Sequence, residues 1–396
     1  MRAITRSLWL VHAVQVIASQ VPPTFAEPSS HAVDSVDPFI GNGGYSADGS
    51  GGMIPSTALP FGMARWVAQT RQNCVSVTPY NYTDTKIHGF QGTHQPAIWM
   101  GESGPVIIVS GAGTVQSLFE KRGMSFDRAH EVATASYYSA EMDALEGGTI
   151  FGEQSATPHV GHLHVTFSNT SAPYVLVEAT RAFIVGTDDL TNFTYPEGAI
   201  AIDSKRQEIT GRNPERQDFI IGPNPARGWP GYFYGHMSGE GSLLSGFARF
   251  AANTSKVNVR IGVSFILVDQ ARRNLDAEIP DSATLEETAR QTRAAWAEKL
   301  DRIQVEDATG DEETVFYTAI FHALQYPSKM KMGNMTQGTM TPCIKATLTP
   351  DTRYGMHSAP NGSGKSCLLR SAYPEWYKVC CKIIRRVDGF PCGRIL

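Results

Sequence analysis

VNVRIGVSFILV, residues Val257 to Val268, is the stretch whose reading sets the fold class. In an extended chain Val257, Val259, Ile261, Val263 and Phe265 share one face, and Asn258, Arg260, Gly262 and Ser264 share the other. A period of two is the signature of a strand with one buried face. Leu163, Val165 and Phe167 alternate in the same way with His162, His164 and Thr166. Val106 to Val109 and Tyr174 to Val177 are apolar runs too short for helices. Turn-rich segments such as GNGGYSADGSGG (Gly41 to Gly52) and GPNPARGWPG (Gly222 to Gly231) separate these runs. Many short strands broken by such turns predict a mainly β chain, with a two-sheet β-sandwich over residues 33–272.

Beyond that stretch the period changes. Thr284 and Glu287 have the spacing of a capping box, T-x-x-E. Leu285, Ala289, Thr292, Trp296, Leu300 and Ile303 then recur at intervals of three and four, which is one helical face. The spacing predicts a linker helix within residues 280–305 that packs Trp296 and Leu300 on the sandwich. A second helix, Glu312 to Gln325, stops before Pro327 and opens a helical domain over residues 306–331. With so little of that domain in view, Phe316, Ile320, Phe321 and Leu324 are expected to be poorly covered. Residues 332–396 read as an irregular tail. From Lys365 to Leu396 they hold seven Lys or Arg against two acids, Glu375 and Asp388.

The whole chain has 396 residues, 41% hydrophobic and 18% charged, enough for a large core. Its 34 Lys and Arg against 38 Asp and Glu give a net charge of -4, without the basic surplus of a nucleic-acid binder. Arg2 and Arg6 precede the apolar run Leu8 to Ala18, the pattern of a signal peptide within residues 1–26, cleaved after Ala18 or Ala26. The alternative is a disordered N-terminal tail. No later apolar run reaches the 18 residues of a membrane span, so no membrane partner is expected after cleavage. Six N-x-S/T sequons, at Asn81, Asn169, Asn192, Asn253, Asn334 and Asn361, fit a glycosylated secretory protein. Cys74 stands alone until Cys343, Cys367, Cys380, Cys381 and Cys392, which is no evenly spaced disulfide framework.

Local motifs carry little chemistry. His162 and His164 of HVGHLH share a strand face and could converge on a metal, with His159 from the preceding turn; a polar strand face with partly exposed rings is the simpler reading. APNGSGKS (Ala359 to Ser366) follows RYGMHS, which is no buried strand, and reads as a Gly- and Ser-rich turn rather than a phosphate loop. GESG at Gly101 lacks the G-x-S-x-G of a nucleophile elbow. The dense segment PYNYTDTKIHGFQGTHQPAIWMGESG (Pro79 to Gly104) interleaves aromatic and polar residues, suited either to a sugar face or to inward packing.

That segment resembles glycoside hydrolase family 92, as do VDPFIGNGG (Val36 to Gly44) and PSTALPFGMARW (Pro55 to Trp66). SATPHVGHLHVTF (Ser155 to Phe167), NPERQDF (Asn213 to Phe219), AAWAEKLDRIQV (Ala294 to Val305) and VFYTAIFHALQYPS (Val315 to Ser328) continue the resemblance over residues 36–330. It implies an N-terminal β-sandwich packed on an (α/α)6 barrel, here incomplete. It also implies calcium-dependent, inverting hydrolysis of terminal α-linked mannose, the α-1,2 linkage being expected, on glycans or mannoproteins. Many relatives read GFSHTHLSG where this chain has GFQGTHQPA (Gly89 to Ala97); His94 is retained, whereas Gln91, Gln95 and Pro96 differ. His94, Trp99 and Glu102 are the expected sugar contacts. After Ser328 the family pattern is lost, as a mis-spliced or frame-shifted end would lose it. No catalytic acid or base is assigned, and calcium ligands are expected to be absent from the chain. A non-catalytic carbohydrate-binding sandwich is the alternative.

Overall fold

The computed structural model describes residues 29–325, apart from 44–50, 75–76, 96–97, 99–100, 180–182, 185–192, 195–197, 216–230, 239–240 and 245. The signal-peptide region, APNGSGKS, Trp99 and the tail after 332 lie outside the described residues.

The strands are β1 (Arg65–Gln69), β2 (Lys86–Ile87), β3 (Gly89–Thr93), β4 (Val106–Ala112), β5 (Met124–Ser125) and β6 (Val132–Ala133). Next come β7 (Tyr138–Asp143), β8 (Thr149–Ala156), β9 (Val160–Ser168), β10 (Pro173–Glu178), β11 (Phe183–Ile184) and β12 (Phe193–Thr194). The last are β13 (Ala199–Asp203), β14 (Glu208–Asn213), β15 (Gly231–Ser238), β16 (Gly241–Leu244), β17 (Phe247–Phe250) and β18 (Lys256–Ser264). The helices are α1 (His31–Asp34), α2 (Phe119–Arg122), α3 (Val268–Glu278), α4 (Leu285–Leu300) and α5 (Gly310–Gln325).

Two antiparallel sheets carry the domain. One has six strands, β1-β3-β4-β10-β17-β16, and the other eight, β13-β14-β15-β18-β9-β8-β7-β6. Alternate residues of both sheets turn inward and form one apolar core, including Trp66, Phe90, Ile108, Val165, Val259 and Ile261. The Trp66 ring lies so close to β9 that a Cβ on Gly161 would stand 2.2 Å from its Cε2 atom, so only glycine fits there.

The period-two reading of β18 is right about the inner face and wrong about the outer one. The strand ends at Ser264, and Val268 begins α3. Helices cover the face expected to be polar and half-exposed. Arg260, only 3% exposed, donates to the Ile279 carbonyl at 2.7 Å and pairs with Asp281. At Gly262 a Cβ would sit 2.3 Å from the Ala271 carbonyl of α3, so the missing side chain is what lets the helix dock. Polar residues on this face satisfy one another under α3 and α4 instead of meeting water.

Helix α4 starts at the Thr284–Glu287 capping box, with both reciprocal bonds made. It buries Leu285, Ala289, Thr292, Trp296 and Leu300, the predicted stripe, against the outer face of the eight-stranded sheet and neighbouring elements. Thr292 donates to the Ala156 carbonyl of β8 at 2.6 Å, and Trp296 Nε1 donates to the Ala58 carbonyl at 2.8 Å. Ile303 falls beyond the helix, in the following turn.

Phe321 is a correction. It is fully buried, its ring centroid 4.5 Å from that of Trp296. The cover comes from the N-terminal segment: Ala32, Val33 and Val36 pack with Trp296, Leu300, Tyr317 and Phe321. Ser30 Oγ donates to Asp301 at 2.7 Å, and Asp37 N donates to Thr318 Oγ1 at 2.9 Å. Phe316, Ile320 and Leu324 are partly buried, and Val315 remains 45% exposed. No helix among the described residues is long and apolar enough to cross a membrane.

Candidate functional site

β3 leaves the six-stranded sheet at Thr93 and the chain returns to it at Val106, so His94, Glu102 and Ser103 lie in the connection at one end of the sandwich. Glu102 is the hub that closes this loop. It is fully buried, and one carboxylate oxygen accepts from His94 N at 2.7 Å and Ser103 N at 3.0 Å. The other accepts from Asn73 Nδ2 at 2.9 Å, Gln91 Nε2 at 3.0 Å and the Thr93 hydroxyl. Gln69 Nε2 donates in turn to Gln91 Oε1, Gln91 Nε2 to Asn73 Oδ1, and Asn73 Nδ2 to Gln95 Oε1. Glu102 therefore fastens the loop from beneath, and the expectation that it touches sugar directly is corrected: five protein donors already surround it. Gln91 and Gln95, which depart from the family pattern, are buried members of the same polar chain, not cleft residues.

Most of the aromatic segment is packed inward as well. Tyr80 is fully buried with its hydroxyl on Glu131 at 2.9 Å, Phe90 is in the core, and the His88 ring stacks on Phe119 at 3.9 Å. His94 differs. Both its ring nitrogens are buried without a hydrogen-bond partner, and the ring lies 4.7 Å from that of Phe265, just past the end of β18. Burial lowers its pKa, with nearby Glu102 and the Ser103 backbone opposing and Arg65 and His159 assisting, so the ring is held neutral. The end of α5 reaches the same region: Phe61 N donates to the Leu324 carbonyl at 2.9 Å, and Ser56 Oγ donates to Gln325 Oε1 at 3.2 Å. Phe61 takes the left-handed conformation, φ 62°, to make this contact.

The three histidines of HVGHLH do not converge. His159 bonds Glu278 on α3, His164 lies 3.3 Å from Glu153 on β8, and His162 is buried beneath α4. Among the described residues no three His, Cys, Asp or Glu side chains gather as metal ligands. Calcium needs six to eight oxygens, and the buried carboxylates Glu102 and Glu131 are already taken by protein donors. The described residues therefore do not fit the calcium that the resemblance implies.

His162 links β9, β18 and α4. Burial lowers its pKa from 6.5 to about 4, so the ring is neutral. Nε2–H donates to Asn258 Oδ1 at 2.8 Å, and Nδ1 accepts from the Thr288 hydroxyl at 2.8 Å. The unfolded chain binds the proton first as pH falls, so this residue destabilises the fold from pH 6.5 downward toward 4. Denaturant unfolding of His162→Gln beside the parent should show a shallower loss of stability across that window, by up to one proton. Parallel curves would exclude His162 as the source.

The sequons divide by exposure. Asn81 is fully buried and its Oδ1 accepts from Thr83 N at 2.9 Å and Thr83 Oγ1 at 2.7 Å, a turn-forming role that leaves no room for a glycan. Asn169 and Asn253 are exposed. Asn192, Asn334 and Asn361 lie outside the described residues. Glycosidase treatment of the chain expressed through a secretory host should release glycan from Asn169 and Asn253 and none from Asn81, read by peptide mass spectrometry.

Sequence reasoning named His94 as an expected contact but gave no sign of Phe265, Arg65, Asn73 or Glu278 around it, since they lie far apart in the chain and meet only through the packing of strands, loops and α3. HVGHLH was noticed for a different chemistry.

Residues 35–264 match the N-terminal domain of glycosyl hydrolase family 92, and residues 270–358 match the family's catalytic domain, so the family pattern does not end at Ser328 as expected but runs on to residue 358. An uncharacterised secreted glycosidase of Arthroderma benhamiae is 24% identical over 74% of this chain and 41% of its own length. A family GH92 inverting mannosidase of Bacteroides thetaiotaomicron superposes with a TM-score of 0.63 at 25% identity, over 75% of this chain and 40% of that one. A GH92 α-mannosidase of the same organism, also solved with mannoimidazole, gives 0.58 at 19% identity, which is a likeness of fold. The chain thus spans about two fifths of the length of these relatives. Because the N-terminal match alone takes in more than half of the sequence, this chain belongs to glycosyl hydrolase family 92.

Proposed function

We propose that the chain serves the recognition of terminal α-linked mannose, α-1,2 by preference, on glycans or mannoproteins in the secretory pathway or outside the cell. The sandwich end carrying His94 is one wall of the sugar cleft. The observation that carries this reading is the His94 imidazole, buried beside Phe265 with no well-formed hydrogen bond on either nitrogen and only the Ser103 backbone close to one of them. An aromatic ring next to unspent hydrogen-bonding groups suits a sugar, which offers C–H faces and hydroxyls together. The likeness to GH92 mannosidases supports mannose as the sugar.

Hydrolysis by inversion needs an acid and a base roughly 6.5–9.5 Å apart. Among the carboxylates of the described residues, buried Glu102 is engaged by five donors, buried Glu131 by two tyrosines and Arg128, and half-buried Glu278 by His159 and Thr157, while Glu215 is sealed in the interior with no exposed surface. They favour binding without turnover for this chain. Incubation with an α-1,2-mannobiose at several calcium concentrations should release no mannose above the blank. Loss of acid–base groups alone costs about 10²–10⁴-fold in rate. A glycan array should still register α-mannosides, and His94→Ala should abolish that signal. Calcium-dependent mannose release would refute the binding-only reading, and an array blank for mannosides would refute mannose recognition.

A further inference from the structure

A second imidazole at this end of the sandwich has the same unspent capacity as His94. His159 is 7% exposed, and its Nε2 is buried without a partner. Its other nitrogen is committed: Nδ1–H donates to Glu278 Oε1 at 2.5 Å. Glu278, the last residue of α3, also accepts from His159 N at 3.0 Å and from the Thr157 hydroxyl at 2.6 Å. The turn before β9 is thus pinned from one carboxylate, and the imidazole is fixed in tautomer and direction. A carboxylate behind a histidine is the arrangement that presents the opposite nitrogen to a ligand. A buried side-chain nitrogen left without a partner is rare in a folded protein and calls for a reason.

Position ties this ring to the first. Val263 N donates to the His159 carbonyl at 2.9 Å, and Phe265, two residues on, packs on His94. His159 is also near enough to be among the groups that hold the His94 pKa down. We propose that His159, oriented by Glu278, is a second ligand-binding residue of this wall and that it meets a single sugar hydroxyl. The inference rests on the mannose reading above and adds the residue and the hydroxyl-level contact. A hydroxyl both donates and accepts, so it suits Nε2 whether or not that nitrogen carries a proton. Glu102 and Glu278 stand beside the two imidazoles and Arg65 lies near His94, a mixed charge set that suits a neutral ligand better than an anion. Glu278 is a positioning residue, since it acts only through the ring.

The test uses the full chain, with methyl α-mannoside and its four mono-deoxy analogues as probes, by titration calorimetry. The parent protein should bind one deoxy analogue about tenfold more weakly than methyl α-mannoside, as a site built to bond a hydroxyl does. In His159→Ala that difference should vanish, because methyl α-mannoside weakens to the level of that analogue. Glu278→Gln should reduce the discrimination and alter the ring-nitrogen chemical shifts of His159, which a purely structural role in α3 would not require. Should His159→Ala not fold, His159→Gln supplies the comparison. An equal loss of affinity for every probe, or no loss, would overturn the inference while the mannose reading stands. Failure of the parent protein to bind any mannoside would instead remove the mannose reading and this inference with it.

Discussion

Glu102→Gln should cost the fold about 3 kcal/mol in equilibrium urea unfolding, although the two side chains have nearly the same shape. The carboxylate offers acceptors only, and every group around it is a donor: two backbone N–H groups, two side-chain amides and one hydroxyl. A glutamine must turn an NH2 group toward one of these sets. If it keeps its oxygen on His94 N and Ser103 N, its NH2 faces those of Asn73 and Gln91. Those amides cannot simply flip to receive it. Gln91 Oε1 already accepts from Gln69, and Asn73 Oδ1 already accepts from Gln91, so a flip at one position creates the same conflict at the next. The damage is local to the loop that carries His94, so mannoside binding should fall together with stability. Unchanged stability in Glu102→Gln would mean that the carboxylate faces solvent or sugar after all. Glu298→Gln, at an exposed position on α4, is the matching control and should leave the unfolding curve where it was.

Trp296→Ala should be larger still, about 4 kcal/mol, the usual range for emptying a buried tryptophan site. Trp296 is fully buried, lies against Phe321 and donates its indole N–H to the Ala58 carbonyl. Its loss would leave a cavity between α4 and α5 and an orphaned carbonyl in the Pro55 to Trp66 loop. Three other pieces of chain meet at this ring: the N-terminal segment, that loop and α5. The expected signature is therefore early loss of the α4–α5 seam, read as protease cleavage near residues 301–309 before the sandwich unfolds. A loss under about 1 kcal/mol, with no change in cleavage, would show that the seam is held elsewhere.

The sequence determined the layer plan because each choice there is local. A period of two over Val257 to Phe265 can bury one face only as a strand, and the Thr284–Glu287 box with its three-and-four stripe can bury one face only as a helix. The family pattern likewise sits in contiguous runs such as VDPFIGNGG and PSTALPFGMARW, so it was legible before any fold was known. Tertiary structure decided what covers those elements. Nothing in the sequence near Arg260 or His162 says that α3 and α4 will roof the polar face of the eight-stranded sheet. That outcome depends on Gly262 admitting a helix backbone and on polar partners as far apart as His162 and Thr288. The same holds for Phe321, whose cover comes from residues near Val33, almost 290 positions earlier. It holds most of all for the site. Glu102 looks like a sugar contact when read along the loop and becomes an internal brace once Asn73, Gln91 and Thr93 are folded around it. His159 looks like one third of a metal motif until Glu278 is brought to one of its nitrogens. Hydrogen-bond valence is spent in three dimensions, so which polar groups remain free for a ligand is a property of the fold and not of the order of residues.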